Sequence, residues 1–265
     1  MIFTYKPQGQ TLGQLTKNIQ SKTKKKICFL GRLDPIACGI VCYFTDGECS
    51  LARKYMHVDK TYQFNLVVGI STDSQDVLGV IDKVINVDQE IINNVHHSNF
   101  VEHFSGLKYE QSYPRFSSFV VKKYGEKKPL WYFSKYGYQI VKEDLPKHLI
   151  QIYLLEKIGK TFLIEDKNYF LEQVTKLNDE NGELRKDMII NQYQNMENIK
   201  FIGIPLIAKV SSGTYIRQLC DDIGQYLKLP AIADKIERMS YHFPKDTEKE
   251  LNISDLDILV EENLL

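Results

Sequence analysis

The 265-residue sequence lacks the features that mark several protein classes. It has no run of eighteen or more apolar residues, which a membrane-spanning helix needs. Its first ten residues, MIFTYKPQGQ, have neither the charged nor the apolar part of a signal peptide. It has no glycine-rich nucleotide-binding loop, and four of its five cysteines match no paired CxxC zinc pattern: Cys28, Cys38, Cys42 and Cys49. These absences predict a cytoplasmic protein that contacts no membrane and uses no metal or cofactor.

The chain has no excess of charge of either sign, but its charge is unevenly distributed. Residues 246–265 carry seven acidic residues and one lysine, so the rest of the chain is net positive. Basic residues gather at 22–26 and at 108–135, where aromatic residues such as Trp131 lie between them. Basic side chains for phosphates and rings for unstacked bases suit a single-stranded or looped RNA. A solvated charged face over an aromatic core explains this composition equally well.

Hydrophobic spacing divides the chain into helices and strands. It predicts helices over 11–22, 50–55, 88–104 and 215–227, strands over 60–70, 80–85 and 200–210, and a hairpin or strand–turn–strand unit over 149–171. Residues 172–198 are polar, with little that could anchor a core, which predicts an insertion near 165–198. No linker separates two equal domains, so we expect one catalytic domain over 1–245 and an acidic tail over 246–265.

The stretch GRLDPIACGI, residues 31–40, holds a rigid carboxylate. Pro35 restricts the backbone of Asp34 to extended conformations, and apolar segments flank the loop. A carboxylate fixed in this way suits a nucleophile. An ordinary Asp-Pro turn has the same spacing, so the loop alone leaves both interpretations open.

Four blocks along the chain carry a resemblance to a known family: YKPQGQT at the N-terminus, GRLDPIACG, KTYQFNLVVGISTDSQDVLG and SSGTYIRQLCDDIG. With FSG at 104–106 and YPRFSS at 113–118, they resemble the TruB family of pseudouridine synthases, which shows such blocks in this order. The resemblance covers roughly residues 2–240 and leaves out 165–198. It implies an α+β pseudouridine synthase fold, with a mixed, mostly antiparallel sheet flanked by helices and a central RNA-binding cleft.

The resemblance also implies an activity and a set of site residues. The protein is expected to isomerise a uridine in RNA, without a cofactor and as a monomer, the preferred substrate being the T-loop uridine at position 55 of tRNA. Asp34 matches the catalytic aspartate, and Arg217 matches the arginine that pairs with it and keeps it ionised. Tyr62 matches the tyrosine that stacks on the flipped uracil. The other expected substrate-binding residues are Tyr215, Ile236, Phe29 and Lys6, the last supporting the loop or a phosphate.

Two departures from the family pattern concern the RNA. Phe29 and Leu30 stand where family members usually have a histidine and a threonine, and Phe29 can wedge into a stack but cannot donate a hydrogen bond. Nothing after about residue 245 resembles the RNA-binding PUA domain of many relatives, so residues 108–135 are expected to grip the RNA. Two alternatives remain open: a catalytically weak or inactive RNA-binding protein or tRNA-folding chaperone of this fold, and a pseudouridine synthase acting on another structured RNA.

Overall fold

Strands supply most of the framework in the computed structural model, which describes residues 1–138, 140–179, 182 and 184–243, and the backbone of 251–252. The strands are β1 Ile2–Lys6, β2 Ile27–Leu30, β3 Cys38–Thr45, β4 Asp59–Val68, β5 Ile70–Thr72, β6 Ile81–Val84, β7 Lys108–Ser112, β8 Val120–Lys123, β9 Glu126–Pro129, β10 Lys147–Lys157, β11 Phe162–Ile164, β12 Phe201–Val210, β13 Ala231–His242 and β14 Leu251–Asn252. The helices are α1 Leu12–Thr23, α2 Leu51–Lys54, α3 Gln89–His97, α4 Phe100–Phe104, α5 Leu130–Lys135, α6 Asn168–Thr175, α7 Lys186–Gln194 and α8 Ile216–Leu227.

One large sheet has the strand order β1–β3–β13–β4–β12–β10–β7. Beside this path, β2 pairs with β3, β11 with β12 and β14 with β13. These pairs are antiparallel except β13 with β3, which is parallel. The prediction of an α+β fold with a mixed, mostly antiparallel sheet is therefore confirmed. The predicted unit over 149–171 is a strand–turn–strand and not a hairpin, because β10 and β11 both pair with β12.

The main hydrophobic core lies between the sheet and α8. Alternate residues of β4 enter it, as the period of a strand requires, and Phe64 and Leu66 are among them. Ile216, Leu219 and Ile223 enter it from α8, at the spacing of one helical face. This packing confirms the predicted helix, which begins at Ile216, and fixes the position of its first turn relative to the sheet.

The predicted helix over 88–104 is two helices, α3 and α4. The break follows from Ser98, whose backbone is extended and whose hydroxyl donates a hydrogen bond to the carbonyl of Val95 at 2.6 Å. This hydroxyl takes up one of the carbonyls left free at the end of α3. No helix in the described part of the chain is long and apolar enough to cross a membrane.

The expectation that residues 172–198 offer little to anchor a core is wrong. Helices α6 and α7 bury two pairs of residues, Phe170 with Val174 and Ile189 with Tyr193. Each pair is four residues apart and so lies on one face of its helix. These side chains belong to one buried cluster with Val67, which points to the face of the sheet opposite Leu66. The segment thus forms a second core; that it is an insertion stays a prediction.

The predicted acidic tail, 246–265, lies outside the described residues except for the backbone of β14. That strand pairs with Ser240 and Tyr241 of β13. The proposed boundary between the catalytic domain and the tail at residue 245 therefore stays a prediction.

Candidate active site

A cavity of about 380 Å³ opens beside the Asp34 loop. Its walls come from the start of α1, the loop around Asp34, the loop 74–78, the 108–135 stretch, the region just before α7 and the first turn of α8. The ionisable residues that line it are Arg32, Asp34, Asp76, Lys135, Arg185 and Arg217. The cavity therefore gathers carboxylates and cations from distant parts of the sequence.

The Asp34 loop connects β2 to β3, and residues of the N-terminal YKPQGQT block hold it in place. The Lys6 side chain is fully buried, and its ammonium donates hydrogen bonds to the carbonyls of Ala37 at 2.5 Å and Pro35 at 3.3 Å. The backbone N–H of Gly9 donates to the same Pro35 carbonyl at 2.8 Å. Burial, opposed in part by the charge of Asp34, lowers the pKa of Lys6 to about 8. Of its two predicted roles, this position fits support of the loop and not contact with a phosphate.

Arg217 connects the Asp34 loop to two other walls of the cavity. It lies in the first turn of α8, its side chain is 2% exposed, and its Nε lies 2.7 Å from Oδ2 of Asp34, which is 37% exposed. Its other nitrogens donate to the carbonyls of Ser74 at 2.6 Å and Phe116 at 3.3 Å. Burial lowers the pKa of Arg217, but Asp34 and then Asp76 outweigh it and leave this pKa above its ordinary value. The guanidinium thus stays charged and fixes the direction of the Asp34 carboxylate.

A second carboxylate, Asp76, belongs to the same group and was missed in the sequence. Its side chain is 5% exposed, and Oδ2 lies 3.6 Å from Nε of Arg217. Its other oxygen accepts hydrogen bonds from the Ser74 hydroxyl at 2.6 Å and the Leu78 N–H at 2.9 Å. Burial raises the pKa of Asp76 to about 6, although Arg217 and Ser74 lower it. Asp76 ends the TDSQD run of one of the matched blocks, where the sequence does not distinguish it from Asp73.

The other predicted substrate-binding residues lie outside the described lining of this cavity. Tyr62 and Ile236 are buried in the main core with Leu33, the neighbour of Asp34. Tyr215 immediately precedes α8, and burial followed by the charge of Asp34 raises its pKa to about 12. Phe29 lies in β2 with its ring centroid 5.9 Å from that of Tyr43. Their contacts with a substrate stay predictions.

The basic and aromatic stretch 108–135 has both a buried aromatic core and side chains that could face RNA, the two interpretations that its composition allowed. Leu130 and Phe133 of α5 are buried in a small core of their own. Trp131, between them in the helix, is 40% exposed and lines the cavity together with Lys135. One face of α5 is therefore structural, and the other places an aromatic ring and a cation at the cavity.

Comparison with known proteins finds one family. The model of the TruB family pseudouridylate synthase N-terminal domain matches residues 17–165, more than half of the chain. The chain is 26% identical to tRNA pseudouridine synthase B of Mesoplasma florum over 90% of this chain and 67% of the relative. It is 26% identical to that of Thermotoga maritima over 96% and 66%, and 29% identical to that of Clostridium novyi over 100% and 77%. The chain thus spans about two thirds of the length of the first two relatives.

A solved structure shares the fold. A chain in the "Crystal Structure of a Cbf5-Nop10-Gar1 Complex" matches with a TM-score of 0.50 and 15% sequence identity, covering 89% of this chain and 47% of that one. At this identity the likeness concerns the fold alone. The family resemblance predicted from the four sequence blocks is confirmed by the family match.

Proposed function

We propose that this chain, which belongs to the TruB family of pseudouridylate synthases, isomerises a uridine of tRNA to pseudouridine. The observation that carries the proposal is the Asp34 carboxylate, partly exposed at a cavity and held at 2.7 Å by the buried Arg217. The relatives named tRNA pseudouridine synthase B support tRNA as the substrate. We further propose the T-loop uridine at position 55 as the target, a cytoplasmic location and a monomeric enzyme.

The reaction needs only groups of the kind found at this site. The bond between ribose C1′ and N1 of uracil breaks, C1′ bonds to C5, a proton leaves C5 and a proton is gained at N1. Substrate and product are isomers, so no external oxidant or energy source enters the balance. Asp34 is the carboxylate that attacks or stabilises either C1′ or the uracil ring, and Arg217 keeps it ionised and oriented.

Access to the base requires the nucleotide to leave its stack in the RNA loop, which costs a few kcal/mol. The Trp131 ring and Lys135 at the cavity offer stacking and charge that offset this cost. In this proposal Tyr62 stacks on the flipped uracil, with Tyr215 and Ile236 beside it and Phe29 acting as a wedge in the RNA. The residues 108–135 supply the main grip on the stem-loop.

Asp34→Asn tests the proposed function, because it removes the charge of the carboxylate and preserves its size. We expect no pseudouridine in a T-stem-loop RNA and a Kd for that RNA within about threefold of wild type. The matched control is Glu165→Gln, which neutralises a carboxylate that is 59% exposed and paired with Lys200 on the surface. Full activity of Asp34→Asn would contradict the assignment of Asp34.

Two measurements on the wild-type protein separate the alternative functions. A wild-type protein that binds the stem-loop but forms no pseudouridine would favour the chaperone hypothesis, which the replacement of the family histidine by Phe29 motivated. Carbodiimide mapping of pseudouridine in total RNA, with and without the protein, identifies the target. Modification of another structured RNA in place of position 55 would overturn the proposed substrate.

A further inference from the structure

The helical segment formed by α6 and α7 reaches the candidate active site. Leu184 and Arg185, immediately before α7, line the same cavity as Asp34 and Arg217. This segment was expected to be a polar insertion with little core of its own. Its contribution to the cavity raises the question of what Arg185 does there.

The Arg185 guanidinium is fixed on two sides. Nη1 and Nη2 donate hydrogen bonds to the two carboxylate oxygens of Asp73 at 2.7 and 3.0 Å, a bidentate pair in which both side chains are about one-fifth exposed. The guanidinium carbon also lies 4.4 Å from the centroid of the Phe116 ring. A planar fork that both pairs and stacks in this way is specific to arginine, because a lysine ammonium provides neither geometry.

Arg185 and Arg217 contact the same two stretches of chain, residues 73–74 and Phe116. Asp73 directly precedes Ser74, whose carbonyl accepts from Nη1 of Arg217, and the carbonyl of Phe116 accepts from Nη2 of Arg217. Thus one arginine contacts the side chains of Asp73 and Phe116, and the other contacts the backbone of Ser74 and Phe116. A shift of either wall changes where the Arg217 guanidinium, and with it the Asp34 carboxylate, points.

Hydrogen bonds hold the backbone on either side of Arg185 in place. The Asp179 carboxylate accepts hydrogen bonds from the backbone N–H groups of Leu184 at 3.0 Å and Lys186 at 3.3 Å, on either side of Arg185. Arg185 has a left-handed backbone, with φ of 60°. The N–H of Asn178 donates to the carbonyl of Gly9 at 2.9 Å. Arg185 therefore projects from an anchored turn and not from a free loop.

We propose that Arg185 is a positioning residue, which holds Asp73 and Phe116 so that Arg217 orients Asp34 for the reaction. This inference rests on the proposed function. Because Arg185 acts through Arg217, its loss is expected to lower kcat about 10- to 100-fold. KM for a T-stem-loop RNA is expected to stay within about twofold, since the effect is on the reacting geometry and not on RNA attraction.

The test compares Arg185→Met, Arg185→Lys and Asp73→Asn with wild type in steady-state kinetics on the stem-loop. The matched control is Lys176→Met, which removes an exposed cation of the same segment outside the cavity lining. We expect both Arg185 variants to lose kcat to a similar extent, Asp73→Asn to follow them, and the control to keep wild-type kinetics. The double variant Arg185→Met/Asp73→Asn should be no slower than Arg185→Met, because both remove one contact.

Two results would overturn the proposal. One is a kcat of Arg185→Met within twofold of wild type. The other is an increase in KM in Arg185→Met that is absent in Arg185→Lys, which would make Arg185 a direct electrostatic contact to the RNA. If Arg185→Met fails to fold, Arg185→Lys and Asp73→Asn decide the question, because they keep the side-chain volume.

Failure of the proposed function has a different signature. A wild-type protein that forms no pseudouridine contradicts that function. The crystal structure of Arg185→Lys then still tests the positioning role. An Arg217–Asp34 contact unchanged from the 2.7 Å of the wild type overturns the inference, and a displaced guanidinium supports it.

Discussion

Replacing Arg217 by methionine removes a side chain that contacts Asp34, Asp76 and two walls of the cavity at once. Methionine keeps much of the length and the apolar stem of arginine, so the substitution chiefly deletes the guanidinium. We expect the variant to fold with reduced stability and to lose most of its activity. Both losses follow from the burial of the groups that the guanidinium contacts.

The loss of stability is dominated by Asp76 and Ser74, which are almost fully buried. Asp34 is 37% exposed, so its ion pair contributes at most about 1 kcal/mol to the free energy of unfolding. Asp76 is only 5% exposed and loses its cation, and the carbonyls of Ser74 and Phe116 lose a donor. Asp76 keeps its hydrogen bonds from Ser74 and Leu78. The loss of the guanidinium contacts costs about 3–5 kcal/mol in total, because the individual contributions are not additive.

The deficit should depend on pH through Asp76. Burial raises the pKa of this carboxyl in the folded protein to about 6, against an ordinary value of 3.8. Above about pH 6 the folded wild type holds an ionised Asp76 against Arg217, and below that pH the proton neutralises the carboxyl and the pairing fades. The difference in stability between wild type and Arg217→Met is therefore expected to be larger at about pH 8 than at about pH 4.5.

Urea unfolding at the two pH values measures the stability, and release of tritium from C5 of a labelled uridine measures the reaction. We expect kcat to fall at least about 100-fold, since a carboxylate free to move by about 1 Å loses that much. Arg53→Met, which removes an exposed arginine at the end of α2, is the control. Wild-type stability at about pH 8 together with wild-type kcat would refute the reasoning.

Two further predictions concern the buried Lys60 and the exposed Trp131. Burial lowers the pKa of Lys60 to about 7, so between that pH and its ordinary 10.5 the unfolded chain binds a proton that the folded protein releases. Stability in urea should thus rise with pH across this window, with Lys60 contributing up to about 5 kcal/mol beside the smaller contribution of the buried Lys6. Lys60→Met should remove the Lys60 contribution, and an identical slope in the variant would contradict it. Trp131→Ala should weaken binding of the stem-loop about tenfold in a titration and leave the urea midpoint unchanged, whereas an unchanged Kd would exclude stacking on this ring.

The contact between Asp34 and Arg217 could be predicted because each residue sits in a block whose pattern is recognisable without the fold. The structure places them 2.7 Å apart, although they are 183 residues apart in the chain. Strands β4 and β12 could be predicted for a related reason, since they alternate or run apolar over ten residues each. The mostly antiparallel pairing of the sheet was expected from the family resemblance alone.

Asp76 could not be identified in the same way, because what distinguishes it is burial. Asp73, three residues earlier in the same polar run, is partly exposed and pairs with Arg185, whereas Asp76 is buried against Arg217. The sequence presents both as acidic residues in a turn-rich loop. Only the packing of that loop under α8 gives one of them a raised pKa.

The expectation that residues 172–198 have little to anchor a core failed because their composition is polar, whereas the spacing of their apolar residues is helical. Phe170 and Val174 share a helix face, as do Ile189 and Tyr193, and these side chains belong to the buried cluster that attaches the two short helices to the sheet. Once the helices are attached, polar residues between them such as Asp179 and Arg185 are held in place by specific contacts. Arg185 is the clearest case: its charge contributed to the polar character of the segment, and its bidentate contact with Asp73 brings that charge to the wall of the cavity. A polar stretch can therefore supply active-site residues when a few apolar residues at helical spacing anchor it.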